Sequence, residues 1–256
     1  MINVQYSVLC HYPSIVAKDC ITLGVLFYNK DEKNCVFEIT KAWNRVKSFN
    51  DELDIDLVKL QLNDIANEVD GFCKNDEFNL DDYTKFYVNE LKFTEVVNIE
   101  IDNFSEFVGE CKRQYLRFDF NKKDRPTVNE QLSFVKKIMK ASDISYKVHP
   151  AKGYFDENIK FDFVIDEYAF KLFRFEGRNE MRLINNVKNW AYDAYKLKDE
   201  YKVVFVTDVD FSEDNDNYNL LYRILKEESN MIINFNEMVS FIKKIGINNE
   251  KILSLN

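Results

Sequence analysis

The chain has 256 residues, 46% apolar and 15% aromatic, with 22 Phe and 14 Tyr, which supplies a sizeable core and excludes intrinsic disorder. Six Gly and three Pro exclude a turn-rich all-β fold and long flexible linkers. The net charge is −9: residues through Arg125 hold 16 basic and 23 acidic side chains, and the rest hold 19 and 21, so the acidic excess sits in the N-terminal half. A strongly acidic surface repels phosphate, which argues against nucleic acid as a ligand of that half.

The first elements are strands. Residues 3–10 and 20–28 are dense in β-branched and aromatic side chains, with Tyr12-Pro13-Ser14 between them, and a third strand runs from Asn34 to Thr40. Leu53, Leu57, Leu60, Ile65, Val69 and Phe72 then recur at helical spacing. Asp81 is the expected cap of a helix carrying Tyr83, Phe86, Tyr87 and Leu91. Phe93 to Ile101 reads as a strand and Phe104 to Tyr115 as a helix. The acidic runs Asp51-Glu52-Leu53-Asp54-Ile55-Asp56, Asp76-Glu77 and Asp81-Asp82 read as a solvated face. The sharper alternative is a surface that mimics DNA or receives a basic partner.

Asn121-Lys122-Lys123-Asp124-Arg125-Pro126 is the expected boundary, because it is charged and ends in a residue that disfavours helix before it. It divides the chain into residues 1–120 and 126–256. Beyond it, Thr127 or Asn129 opens a helix with Leu132, Val135, Ile138 and Met139 on one face. Short strands follow at 145–149, 159–165 and 169–175, then a helix over 181–197. Tyr201 to Thr207 is fully apolar, as expected of a strand covered on both faces. A helix over 218–226, a strand over 231–235 and a helix over 237–244 complete the chain.

Cys10, Cys20, Cys35, Cys73 and Cys111 are odd in number, show no C-x-x-C spacing, and are joined by only His11 and His149. That pattern excludes a disulfide framework and a zinc centre and predicts core thiols in a reducing compartment. The opening Met-Ile-Asn-Val-Gln-Tyr lacks the pattern of a signal peptide, and no run nears the roughly 18 apolar residues of a membrane span. A soluble cytoplasmic protein without membrane contact is expected. Heavy use of Asn, Lys and Ile points to an AT-rich genome, as in many bacteria and phages.

Tyr6-Ser7-Val8, Tyr12-Pro13-Ser14, Asp19 and Leu23-Gly24-Val25-Leu26-Phe27 together resemble the bacterial family numbered 3037 among the domains of unknown function. Asp19 stands at that family's acidic position, Thr22 replaces its usual Asn, and Gly24 matches. The resemblance implies no settled activity. It implies an association with operons encoding toxin-like protein kinases, and hence with bacterial conflict systems.

The element order over residues 127–235 is similar to the core of the PD-(D/E)XK nucleases. The resemblance implies a divalent cation held by one carboxylate on the second core strand and one on the third, with a Lys two residues after the latter acting on the attacking water. Asp162 and Asp166 supply the first position. On the third strand, Ala169 stands two before Lys171 and Leu172 two before Arg174, so Glu176 or Glu180 would have to serve as a migrated ligand.

The fold class expected is therefore α+β: an N-terminal α+β domain followed by an α/β restriction-endonuclease-like domain with a mixed sheet. The favoured reading is a non-catalytic interaction protein with a protein partner and no cofactor. Arg174, Arg178, Arg182 and Lys188 are its candidate binding group and offer the C-terminal domain a route to nucleic acid. The alternative is a magnesium-dependent nuclease using Asp162, Asp166, Lys171 and Glu176. The oligomeric state is left open.

Overall fold

The computed structural model describes residues 1–14, 20–75, 77–148, 150–152, 157–175, 180–207 and 216–253. The protein is α+β, and its contacts divide it into two compact units, Met1–Ser142 and Asp143–Asn256.

The first unit is built on an antiparallel sheet. Its long strands are β1 (Ile2–His11), β2 (Ile21–Asn29) and β3 (Asn34–Ile39), in the order β3-β2-β1. Next come α1 (Trp43–Phe49), α2 (Ile55–Phe72) and the five-residue α3 (Leu80–Thr84). The single strand expected over 93–101 is two short ones, β4 (Leu91–Phe93) and β5 (Val97–Ile101), both paired with the same edge of β1. Thr94 causes the break: its hydroxyl accepts from the Val8 N–H at 3.0 Å and its carbonyl accepts from Ser7 Oγ, so the ladder is bridged by a side chain. Helix α4 (Phe104–Tyr115), capped by Asn103, then covers one sheet face. There Tyr6, Phe27, Phe107 and Tyr115 interlock, and the Tyr6 and Tyr115 hydroxyls meet at 3.1 Å.

Two local expectations are corrected. Helix α2 forms where expected, but its buried stripe is Val58, Leu62, Ile65 and Val69, while Leu57, Leu60 and Phe72 are exposed. A helix with apolar residues around much of its circumference leaves the choice of stripe to tertiary packing. Helix α3 is capped by Asn79, whose side chain accepts from the Asp81 and Asp82 N–H groups, not by Asp81. It also ends at Thr84, so Phe86, Tyr87 and Leu91 lie beyond it.

Helix α5 (Val128–Ala141) belongs to the first unit, whereas the sequence assigned it to the C-terminal sheet. Its Phe134 ring stands edge-on to Tyr115 at 5.9 Å. The segment that reads as a linker is pinned: Arg113 donates to the Asp124 carbonyl and to Glu130, and Arg125 Nε donates to the Phe120 carbonyl. The stretch is thus tied to α4 and to its own flank, and it lies within the first unit.

The start of α5 is a capping box, with Thr127 Oγ1 accepting from the Glu130 N–H and Glu130 accepting from the Thr127 N–H. The Thr127 backbone N–H, then Arg113 and the Thr127 hydroxyl, lower the Glu130 carboxyl from its ordinary 4.5 to about 2. A depressed folded-state value means stabilisation that is complete above the unfolded value and lost as pH falls towards 2. Thr127→Ala is expected to destabilise the protein by about 1 kcal/mol at pH 7. Glu130→Gln should also be less stable than wild type at pH 7, with the gap narrowing from pH 4.5 downwards in urea titrations. A pH-independent gap would remove the ionised carboxylate from this account.

The second unit opens with a two-stranded ribbon, β6 (Pro150–Lys152) and β7 (Asn158–Lys160). Of the strand expected at 145–149, only an isolated antiparallel bridge between Lys147 and Val164 is formed, and His149 lies outside the described residues. The main sheet contains β8 (Phe163–Ile165), β9 (Tyr168–Phe173), β10 (Lys202–Thr207) and β11 (Met231–Asn234), in the order β11-β10-β9-β8. It is mixed: β8 and β9 form an antiparallel hairpin, while β9, β10 and β11 run parallel. Helix α6 (Glu180–Leu197) makes the first crossover, α7 (Asp216–Glu228) the second, and α8 (Phe235–Leu253) ends the chain.

The alternation along β9 decides its packing. Ala169 and Phe173 join Val203, Phe205, Leu183, Val187, Leu221 and Leu225 in one core. On the other face, the Tyr168 and Phe170 rings meet Phe241 of α8 at 5.9 and 6.2 Å. Val203, Val204, Phe205 and Val206 are fully buried, so β10 is the doubly covered strand its sequence announces.

Candidate functional site

The hairpin β8–β9 holds two of the expected site residues. Phe163 pairs with Phe170 and Ile165 with Tyr168, so continuing the register by one residue places Asp162 opposite Lys171. Lys171 Nζ donates to Asp162 Oδ1 at 3.0 Å, and the Leu172 N–H donates to Asp162 Oδ2 at 2.7 Å. The pair is largely withdrawn from solvent, the side chains being 14% and 19% exposed, and Trp190 of α6 lies under the ammonium at 4.7 Å. Both oxygens of Asp162 are engaged by this hairpin.

Asp166 does not join them. It is the first residue of the two-residue turn between β8 and β9, with φ of 50°, a left-handed conformation that Asp tolerates. Four residues of extended chain, about 13 Å, separate it from Asp162. On the face of Lys171, the position two residues earlier is Ala169, fully buried against the core. Arg174 is half-buried beyond the end of β9. Glu176 and Arg178 lie outside the described residues, as does the Glu180 side chain.

Arg182 and Lys188 are exposed on α6. Six residues apart, they point about 120° away from one another around the helix. Lys188 lines a shallow groove of about 380 Å³ between α6 and α7 with Tyr192, Tyr195, Glu227 and Glu228. Arg182 and Lys188 therefore do not share one face of α6. Among the described residues, no three His, Cys, Asp or Glu side chains lie close enough together to hold a metal ion.

The first unit has a larger recess that sequence reasoning missed. A cleft of about 920 Å³ lies between the end of β1, the middle of α2 and the loop that follows α3. Tyr12 and Pro13 form one wall, Asp64 and Glu68 of α2 another, and Phe86 to Leu91 the third. Backbone pairing fixes the walls: the Tyr12 N–H donates to the Glu90 carbonyl at 2.7 Å, and β1 pairs with β4 just beside it. A hydroxyl chain sets the carboxylate of Glu68, with Tyr83 Oη donating to Glu68 Oε2 at 3.0 Å and meeting Tyr87 Oη at 2.9 Å. Burial, reinforced by these neighbours, raises the Tyr83 phenol above its ordinary value, so it remains a neutral donor. Beside the cleft, His11 is buried, with Nε2 3.1 Å from Asn50 Nδ2, and burial lowers its pKa.

The pattern that carries the opening resemblance also has a structural role. Gly24 lies at a β-bulge, where the β1–β2 register shifts between Leu9 and Cys10. A Cβ built on it would sit 2.6 Å from Phe37 Cε2 and 2.9 Å from the Glu38 carbonyl oxygen. Asp19, at the family's acidic position, lies outside the described residues. Four of the five cysteines are buried and Cys35 is half-buried, all as free thiols.

These features define an α+β protein with a bulged antiparallel sheet flanked by a preformed cleft, and a second unit with a mixed sheet. Residues 6–92, which include most of that first sheet and all three walls of the cleft, match the model of a family described as "Protein of unknown function (DUF3037)". No curated protein and no solved structure matches the chain. No helix among the described residues is long and apolar enough to cross a membrane.

Proposed function

We propose that the chain is a non-catalytic interaction protein that takes a protein partner, in a cytoplasmic bacterial or phage conflict system. The observation that carries this reading is the state of Asp162. Its two oxygens are taken up by Lys171 and the Leu172 N–H, and buried Ala169 stands where a nuclease of this topology would place its second carboxylate. Metal-assisted hydrolysis needs positioned anionic ligands on both sides of the cation, and a single lysine-paired aspartate does not provide them. The restriction-endonuclease-like character of the second unit remains part of this proposal, supported by the antiparallel hairpin followed by parallel strands. The open cleft in the first unit supports binding as the activity. The conflict-system setting rests on the family resemblance of the opening segment.

The test is an assay of plasmid, linear duplex and single-stranded DNA and RNA with magnesium or manganese, using wild type and Asp162→Ala. No cleavage is expected from either. Metal-dependent cleavage that disappears in the variant would overturn the reading and make Asp162 and Lys171 catalytic residues, with Asp166 or Glu176 to be tested as migrated ligands. A pull-down from the native host with mass spectrometry should return a stoichiometric protein partner.

A further inference from the structure

We propose that the cleft beside Tyr12 receives an extended segment of the protein partner that presents Lys or Arg side chains; this deepens the interaction reading and rests on it. The walls hold three carboxylates, Asp64, Glu68 and Glu90, and, among the described residues, no Lys or Arg. Glu68 is held by the Tyr83 hydroxyl, so that part of the acceptor array is organised before a ligand arrives. Carboxylates lining a recess with low-dielectric walls concentrate cations and repel phosphate, which selects a basic ligand over a nucleic acid.

Charge alone would describe a solvated face; the aromatic and apolar parts of the lining separate this cleft from one. Tyr12, Tyr87 and Phe86 offer ring surface, on which a guanidinium or an aliphatic Lys stem packs favourably. Phe86 and Val88, 74% and 65% exposed, add apolar surface to the carboxylates of the lining. Two neighbouring cations among the described residues are already engaged. Lys85 pairs with Asp82 and lies 5.3 Å from the Phe86 ring, while Lys92 lies 5.2 Å from the Tyr12 ring. Both show these rings attracting cations, and neither side chain is part of the lining. A volume of about 920 Å³ exceeds what one side chain fills and suits several residues of a peptide, which makes a protein segment a better occupant than a small free cation.

The experiment is selection of a random peptide display library on the immobilised full-length protein. Selected sequences are expected to be enriched in Lys and Arg next to apolar residues. A labelled selected peptide, measured by fluorescence anisotropy, should lose about tenfold or more in affinity for Asp64→Lys/Glu90→Lys, and lose affinity again at roughly 0.5 M salt. Both positions are exposed, so folding can be matched to wild type by melting. Phe86→Ser, also exposed, should weaken binding without changing the salt dependence. Enrichment of neutral or acidic peptides, equal binding to the charge-reversed variant, or no enrichment at all would overturn the assignment of the cleft. None of these outcomes touches the broader interaction reading, which the cleavage assay and native pull-down judge independently of the cleft.

Discussion

Gly24→Val is expected to destabilise the first unit by about 3 kcal/mol, the upper part of the range for overpacking a well-filled core. That would lower the melting temperature by on the order of 10 °C. The first atom of the new side chain meets Phe37 Cε2 at 2.6 Å, Phe37 Cζ at 2.9 Å and the Glu38 carbonyl oxygen at 2.9 Å. The ring has little freedom to withdraw, because Phe37 packs against both core clusters on that side of the sheet. The carbonyl belongs to β3, which pairs Gly24 with Ile39 and Val25 with Glu38, so it cannot move without breaking the ladder. Gly24→Ala should show a smaller loss, and Phe37→Leu should offset part of it, giving a non-additive double-mutant cycle. Unchanged melting of Gly24→Val, or strict additivity with Phe37→Leu, would sink the steric explanation.

An isolated glycine in an apolar strand has few explanations other than close approach or a bulge, and at Gly24 both hold. The long strands and β10 were legible because continuous β-branched and aromatic runs admit one reading. The buried stripe of α2 was not, since Leu57 and Leu60, three apart, and Val58 and Leu62, four apart, are both at helical spacing and only the sheet beneath decides between them. The placement of α5 was hidden because the linker is tied back by contacts no local pattern shows: Arg113 of α4 donates to the Asp124 carbonyl, and Arg125, which looks like a solvated linker charge, donates to the Phe120 carbonyl. The cleft was hidden for a deeper reason. Its walls come from residues 12–13, 61–68 and 86–91, and nothing in the local pattern of any of these segments announces the other two. A signal was present in Phe86 and Val88, apolar residues beside a short helix that has no room to bury them.

Among the described residues of the expected catalytic set, Asp162 and Lys171 are brought together and Asp166 is not, and the stability effects of the two distinguish a structural pair from a vacant active site. Asp162→Ala is expected to destabilise the second unit by about 3 kcal/mol, because it leaves the Lys171 ammonium largely buried without its carboxylate and the Leu172 N–H without its acceptor. Lys171→Met should cost less, about 2 kcal/mol, since Asp162 keeps the Leu172 N–H and the methionine can still pack on Trp190. Asp162→Ala/Lys171→Met should be more stable than the sum of the two losses by at least about 1 kcal/mol, the energy of the pair read directly as coupling. Active-site carboxylates held for a metal behave in the opposite way: removing one from the metal-free protein relieves repulsion and commonly raises stability. Urea unfolding of the three variants in a Trp43→Phe background, followed by Trp190 fluorescence beside the pair, therefore separates the two accounts. An Asp162→Ala protein as stable as wild type, or more stable, would mean that the carboxylate is retained for something other than holding the hairpin, and would restore it as a ligand.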